Sequence, residues 1–385
     1  MKRTVLIFLL FFTASVCLHV ALVKHPDNYR VYTTAAESLL KGENPYAARE
    51  GLDFFKYSPL AGLAVVPFSL QIDEIGTFLF VFFQYWLFFW GFRRWSEAVG
   101  FSLYRSKMVA IIAFLSVVTD VTLSIQICQV NAALFGMMLL SSAQYAEGKT
   151  LKSGIVLALA TNLKLFPFTL ALCLLMDFKK RFWLSYWFGL SFWTLLPGAV
   201  LGFGRNLELL REWFVLMHWD LTRNLEMLDI GNFLELHFGV PQSFRTPLAV
   251  AVGLVIGFGA FWFFQKGRKS LVHRFLLPVN GLYVLLFSYL SESATSILAS
   301  VSIFLTGMAA LHARRHAWIY WLFWGMGLLL VPVFYSDIVP RTWLLWARGF
   351  HLKTVGYFFL SGMICWLFFK EWRRDSPFCP FSQPP

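Results

Sequence analysis

The sequence predicts an all-α, polytopic integral membrane protein, and three observations carry that prediction. Hydrophobic residues make up 58% of the chain and charged residues only 14%, against roughly 25% charged in soluble domains. The mean hydropathy is +0.62. Apolar runs of about 16–22 residues recur from end to end, the length at which a helix crosses a bilayer. No polar segment exceeds roughly 40 residues, below ordinary domain size. Residues 1–385 are therefore expected to form a single membrane domain.

The expected spans are 4–23, 58–70, 75–92, 108–125, 128–145, 152–163, 165–176, 182–203, 246–264, 274–290, 295–311, 317–334 and 354–369. That gives about 11–13 transmembrane or half-membrane helices. Met1-Lys2-Arg3 ahead of the first run fits an uncleaved helix with its amino end in the cytoplasm, since no small-residue cleavage site follows. In the carboxyl half, "KKR" (179–181), "KGRK" (266–269), "RR" (314–315) and "KEWRR" (370–374) mark inner loops. Two external loops result, 24–57 and 204–245, and both termini lie inside. In a bacterium that external side is the periplasmic face of the plasma membrane. The 13-residue run 58–70 is short for a crossing, and if it only dips into the membrane, Arg93 and Arg94 also fall inside. Runs 152–163 and 165–176 are short too, and meet at "NLKLFP". Half-length helices joined at a polar break line cavities in membrane folds.

The net charge of +12 is accounted for by these inner loops rather than by nucleic acid. Cysteines at 17, 128, 173, 365 and 379 form no metal-type spacing or disulfide framework. No phosphate-binding P-loop, dinucleotide fingerprint or zinc helix occurs. No cofactor is expected and no metal-ligating set stands out; the sequence leaves the need for a divalent ion open.

Polar residues therefore stand out. "HPDNYRVYTTAAESLLKGENPY" (25–46) reads as a short amphipathic helix on the membrane surface. Thr34 and Glu37 fit a capping box, Ala35, Ala36, Leu39 and Leu40 an apolar face, and Gly42 a terminator. Asp27 and Asn28 precede it, placed either to act on an acceptor hydroxyl or simply to cap the helix. Lys56 and Tyr57 stand before Ser58-Pro59, where a snorkelling lysine and a belt tyrosine are the plain alternative. Gln126, Gln129 and Asn131 cluster between two apolar runs, to tie helices together or to meet sugar hydroxyls. Lys164 lies in "LALATNLKLFPFTLALCLL". A cation there is costly and marks a functional site or needs a partner; a lipid phosphate would serve. In 204–245, Trp213, Phe214, Met217, Leu221 and Leu225 suggest an interfacial helix. Its charges Arg205, Arg211, His218, Asp220, Arg223, Asp229 and His237 are expected to be solvated, and "DIGNF" (229–233) to be a turn. Glu292 is expected in an outer turn.

Taken in order, "NYRVYTTAAESLLKGENPY" (28–46), "YSPL" (57–60), "CQVN" (128–131), "NLKLFP" (162–167) and "GN" (231–232) resemble glycosyltransferase family 87. That family is one of the polyprenyl-phosphate-dependent, GT-C-fold membrane glycosyltransferases and includes α-mannosyltransferases. The resemblance implies a hexosyltransferase that takes a mannose-like sugar from a polyprenyl phosphate and inverts it. The acceptor would be a lipid or glycan on the outer face, in building the cell envelope. It implies a catalytic acid on the first external loop. The family's position for that acid, four residues before the residue matching Tyr32, holds Asn28 here; Asp27 stands beside it and is taken as the base. Cys128 replaces a family glycine before Gln129. Lys164 matches a lysine that binds the donor phosphate. Asn28, Tyr32, Tyr57, Gln129, Asn131 and Asn232 become candidate substrate contacts. The alternative is a flippase or transporter of a lipid-linked glycan, which would also need an intramembrane cation and amides.

Overall fold

The computed structural model describes residues 2–24, 26–104, 106–220, 229–288, 293–313, 316–336 and 339–373, with side chains from residue 11 onward. Leu221, Arg223, Leu225, Glu292, Arg314, Arg315 and Cys379 lie outside the described residues. Within them every regular element is helical.

Helix α1 (Lys2–His19) continues into a π-helical turn, Val20–Lys24. Pro26 then starts α2 (Asp27–Leu40) as its N-cap. Proline is tolerated just ahead of a helix, and Asp27 in the first turn suits the positive end of the helix dipole. The helix thus begins seven residues before Thr34, so the capping box expected at Thr34 and Glu37 does not form. The helix makes no side-chain cap bond, which also removes the capping role considered for Asp27 and Asn28. Its apolar face is real: Tyr29, Tyr32, Ala35, Ala36 and Leu39 are buried, although Leu40 is exposed. Gly42, at φ +74°, ends it as expected.

Helix α3 (Pro59–Ser69) is capped by Ser58 and spans only 11 residues, about 16 Å. It does not cross the bundle. Its first turn meets α7 through Ser58 and Asn162, and its last meets α2, where the Tyr29 hydroxyl donates to Phe68 O at 3.3 Å. Helix α4 (Asp73–Ala98) then runs the full length and pairs with α6 (Asn131–Ala146), while α5 (Lys107–Gln126) starts on a Ser106 cap. A methyl on Gly91 would stand 2.2 Å from Gly136 O. Only two glycines let these backbones approach so closely, the small-residue contact common between membrane helices.

Helices α7 (Thr150–Leu163) and α8 (Pro167–Leu175) are the expected half-length pair. One unbroken helix is impossible here, because the ring of Pro167 would collide with the carbonyl of Leu163. Lys164 takes an extended conformation in the gap, with φ −153° and ψ 140°.

The rest follows as α9 (Lys180–Leu201), α10 (Phe203–Asp220), α11 (Ile230–Phe238), α12 (Arg245–Gln265), α13 (Lys269–Phe287), a 3-10 segment (Ser293–Ala299), α14 (Ser300–His312), α15 (Ala317–Leu330), α16 (Arg341–Gly349) and α17 (Leu352–Trp372). Eight helical stretches among the described residues are long and apolar enough to cross a membrane. Of the most apolar window in Thr295–His312, 83% is buried, against 11% in Gln242–Gln265. The first lies at the centre of the bundle and the second faces lipid. Helix α16, with Trp343, Leu345 and Trp346 exposed, is an amphipathic element that hydropathy alone did not mark.

Ion pairs define the two ends. At one end Arg94 pairs with Glu147, Lys269 with Asp177, and Arg274 with Glu371. This groups Arg93 and Arg94 with the other basic turns. Helices α2, α10 and α11 gather at the opposite end, with the break at Lys164.

Candidate active site at the helix break

Four segments meet at that break. The end of the α2–α3 loop brings Tyr57, the α5–α6 turn brings Gln129 and Asn131, the α7–α8 gap brings Lys164, and α2 brings Tyr32. Lys164 Nζ donates to Asn131 Oδ1 at 3.1 Å. It also lies 5.4 Å from the centre of the Tyr57 ring and 5.8 Å from that of Phe166, within reach of cation–π attraction. Among the described residues no carboxylate approaches its nitrogen within 4.0 Å. The lysine is half-buried, so its charge is held by neutral groups and one side stays accessible.

Tyr57 is the hub rather than a belt residue. It is 7% exposed. Its hydroxyl accepts from Tyr32 at 2.9 Å and donates to Gln129 Oε1 at 3.4 Å. Its carbonyl accepts from the Tyr46 hydroxyl at 3.0 Å. Burial, and then the charge of Glu212, push the Tyr46 phenol far above the usual tyrosine range, so it remains a donor. Next in the chain, Ser58 Oγ donates to Asn162 Oδ1, and Asn162 donates to Thr194.

Asn28 Nδ2 donates to Ile127 O at 2.7 Å, docking α2 onto the turn that carries Gln129. Asp27, by contrast, faces solvent. Its side chain is 81% exposed and stands 3.9 Å from Arg30. The described residues do not enclose this carboxylate.

Asn232 belongs to another cluster. Asp229 caps α11, accepting from the backbone N–H groups of Gly231 and Asn232, and pairs with Arg245 at 2.9 Å. The Asn232 side chain accepts from Gln242. The stretch expected to be a mere turn is thus a buried helix cap.

Sequence reasoning missed several groups that support the site. Asp220 and Asp229, expected to be solvated, have no exposed side-chain surface. Asp220 holds Lys56, the residue before Tyr57, at 3.3 Å, and Trp213 Nε1 donates to Lys56 O. So Lys56 does not snorkel; it is clamped. Thr295 accepts from Asn131 Nδ2 at 3.4 Å. Hydropathy carries no signal for such partners, because they are chosen by packing across more than 100 residues.

An apolar groove of about 320 Å³ opens between α8, α12 and α13. Thr169, at its rim, lies five residues beyond Lys164 and donates to Phe166 O. The walls are Leu172, Cys173, Val250, Leu254 and Phe258, and Asn280 and Tyr283 supply polar edges.

A half-buried cation with no carboxylate within 4.0 Å among the described residues, amides and phenols around it, and a greasy groove that begins on the next helix suit an anionic lipid bearing a hydroxylated group. No curated protein matches the chain. The sequence pattern of glycosyltransferase family 87 matches residues 54–289, more than half of it. That range holds Tyr57, Gln129, Asn131, Lys164 and Asn232, and begins after Asp27, Asn28 and Tyr32. The protein is a membrane-embedded member of glycosyltransferase family 87.

Proposed function

We propose that this protein transfers a mannose-like hexose from a polyprenyl-phosphate sugar to a lipid or glycan acceptor. The reaction takes place at the bundle end that carries α2. That end is the external face, periplasmic in a bacterial plasma membrane, because the basic turns gather at the other. The observation that carries the reading is Lys164: an ammonium at a helix break whose partners among the described residues are neutral.

In this scheme the isoprenoid chain lies in the groove between α8, α12 and α13, and its phosphate rests against Lys164. The amino ends of α6 and α8 flank the same spot, and both favour negative charge. The acceptor oxygen attacks the anomeric carbon from the face opposite the phosphate. The bond from that carbon to the phosphate oxygen breaks, and the phosphate leaves as an anion. Lys164 stabilises the charge that develops, as a fixed cation in a largely dry site does. The acceptor proton passes to Asp27, whose carboxylate is open to an arriving substrate. Tyr32, Tyr57, Gln129 and Asn131 contact the sugar. Asn28 holds α2 against their turn, and Asn232 serves the acceptor side.

The test is label transfer. Purified protein in nanodiscs, given radiolabelled polyprenyl-phosphate mannose and membrane lipid, should yield a labelled lipid or glycan. Asp27→Asn should lower turnover by about 10²–10⁴, the usual share of a general base, while carrier binding persists. Transport of the intact donor across the bilayer, without label transfer, would instead favour a flippase.

A further inference from the structure

The 3-10 segment Ser293–Ala299 presents two adjacent hydroxyls to two different polar groups. Thr295 Oγ1 accepts from Asn131 Nδ2 at 3.4 Å, on the side of the Lys164 cluster. Ser296 Oγ donates to Asp120 Oδ1 at 2.5 Å, on the side of α5. Asp120 is 1% exposed, deep in an apolar helix, and its other oxygen has no hydrogen-bond partner among the described residues. The cation acting on it is Lys353, in the first turn of α17 and without exposed surface. Hydrogen bonds to side chains on adjacent residues therefore lead from Asp120, through Ser296 and Thr295, to Asn131 and Lys164, with the Lys353 charge acting on the buried end.

The order of donors gives this run a consequence. Asn131 has one carbonyl oxygen and one amino group at the end of its side chain. Its oxygen faces the Lys164 ammonium and its amino group faces Thr295. Rotating the amide would turn N–H groups toward an ammonium, which repels them. The ammonium thus sets which end of the amide faces it, and the Thr295 hydroxyl holds the amide there by accepting from its amino group, provided the backbone under it stays in place. That backbone is 3-10, a form with poorer internal hydrogen bonds than an α-helix. The anchor one residue on is the bond from Ser296 to Asp120. A buried charge pair is a costly way to join helices, since well-packed apolar residues often do as well.

We propose that Asp120 is a positioning residue. By anchoring Ser296 it fixes Thr295, which orients the Asn131 amide and so aims the Lys164 ammonium at the donor phosphate. This rests on the reading of Lys164 given above.

Two probes test it on the full chain in nanodiscs: a polyprenyl phosphate, and the uncharged polyprenol of the same length. Ser296→Ala and Thr295→Val should each weaken phosphate binding about 5- to 10-fold, the effect of one ordinary net hydrogen bond. Polyprenol binding should not change. The double variant should be no worse than either single, because the two act in series. Asp120→Leu combined with Lys353→Met, which removes both charges and the acceptor of the Ser296 bond together, should show the same selective loss. Unchanged phosphate affinity in these variants, or equal weakening of both probes, overturns the positioning role. Equal phosphate binding by wild type and Lys164→Met would instead remove the Lys164 reading itself, and the positioning role with it.

Discussion

Two lysines inside this bundle can be set side by side. Lys164 follows the last residue of α7, where the negative end of the helix dipole favours a cation. It is half-buried, and its partners are an amide and two aromatic faces. Lys353 sits in the first turn of α17, where the dipole opposes it. It is fully buried over the Tyr335 ring, with Asp120 as the opposite charge acting on it. The contrast separates two uses of a costly charge. A lysine balanced by an opposite charge within the fold can brace it; in the proposed scheme the one with no carboxylate partner among the described residues receives the donor phosphate.

The largest effect that could break this comparison is on stability. Lys353→Met would leave Asp120 buried and uncompensated, a loss of about 3–5 kcal/mol. Combining it with Asp120→Asn should recover most of that loss. Unfolding of the detergent-solubilised protein by heat or denaturant reads both. A Lys353→Met variant as stable as the parent would mean that the pair is not what holds α5 to α17.

Lys164→Met should do the reverse. No carboxylate among the described residues pairs with it, so the unfolding midpoint should barely move. Turnover of a polyprenyl-phosphate sugar should fall by about 10²–10³, the usual result of removing one group that stabilises developing charge. Steady-state rates alongside the same unfolding assay would show the split. Loss of stability without a selective loss of turnover would place Lys164 with Lys353 after all.

The sequence made one of these lysines visible and hid the other. Lys164 stands in the middle of an apolar run, so hydropathy alone marks it, and Pro167 marks the break beside it. Lys353 stands one residue ahead of the expected span 354–369, where a lysine can reach water. Only tertiary packing closes over it. Asp120 lies inside "FLSVVTDVTLSI" and meets the same criterion as Lys164, yet its role appears only with Ser296 and Lys353 in place. The helices were legible because apolar length and Pro or Gly punctuation are local. Thr34 misled because a good capping box counts for nothing once Pro26 starts the helix earlier. Asp220 and Asp229 misled because a loop of mixed charges looks solvated until α10 and α11 fold over it. Tyr57 was legible as a candidate but not as a hub, since its partners lie 25 and 72 residues away.

The smallest expected effect asks which part of Tyr57 serves Lys164. Its ring lies beneath the ammonium, and its hydroxyl joins Tyr32 to Gln129. Tyr57→Phe keeps a ring there and removes only the hydroxyl, so its hydrogen bonds to Tyr32 and Gln129 are lost, at about 1 kcal/mol each. If the hydroxyl network shapes the sugar pocket, the donor KM should rise several-fold while the affinity for the sugar-free carrier phosphate stays level. Tyr57→Leu also removes the ring and should weaken the carrier phosphate as well, by about 0.5–1 kcal/mol of lost cation–π support. A hydroxyl deletion that weakened the bare carrier as much as the ring deletion would show that the network acts on the ammonium. The neutral partners of Lys164 would then form one unit from Tyr32 to Asn131, and its charge would be set by that unit as firmly as that of Lys353 is by Asp120.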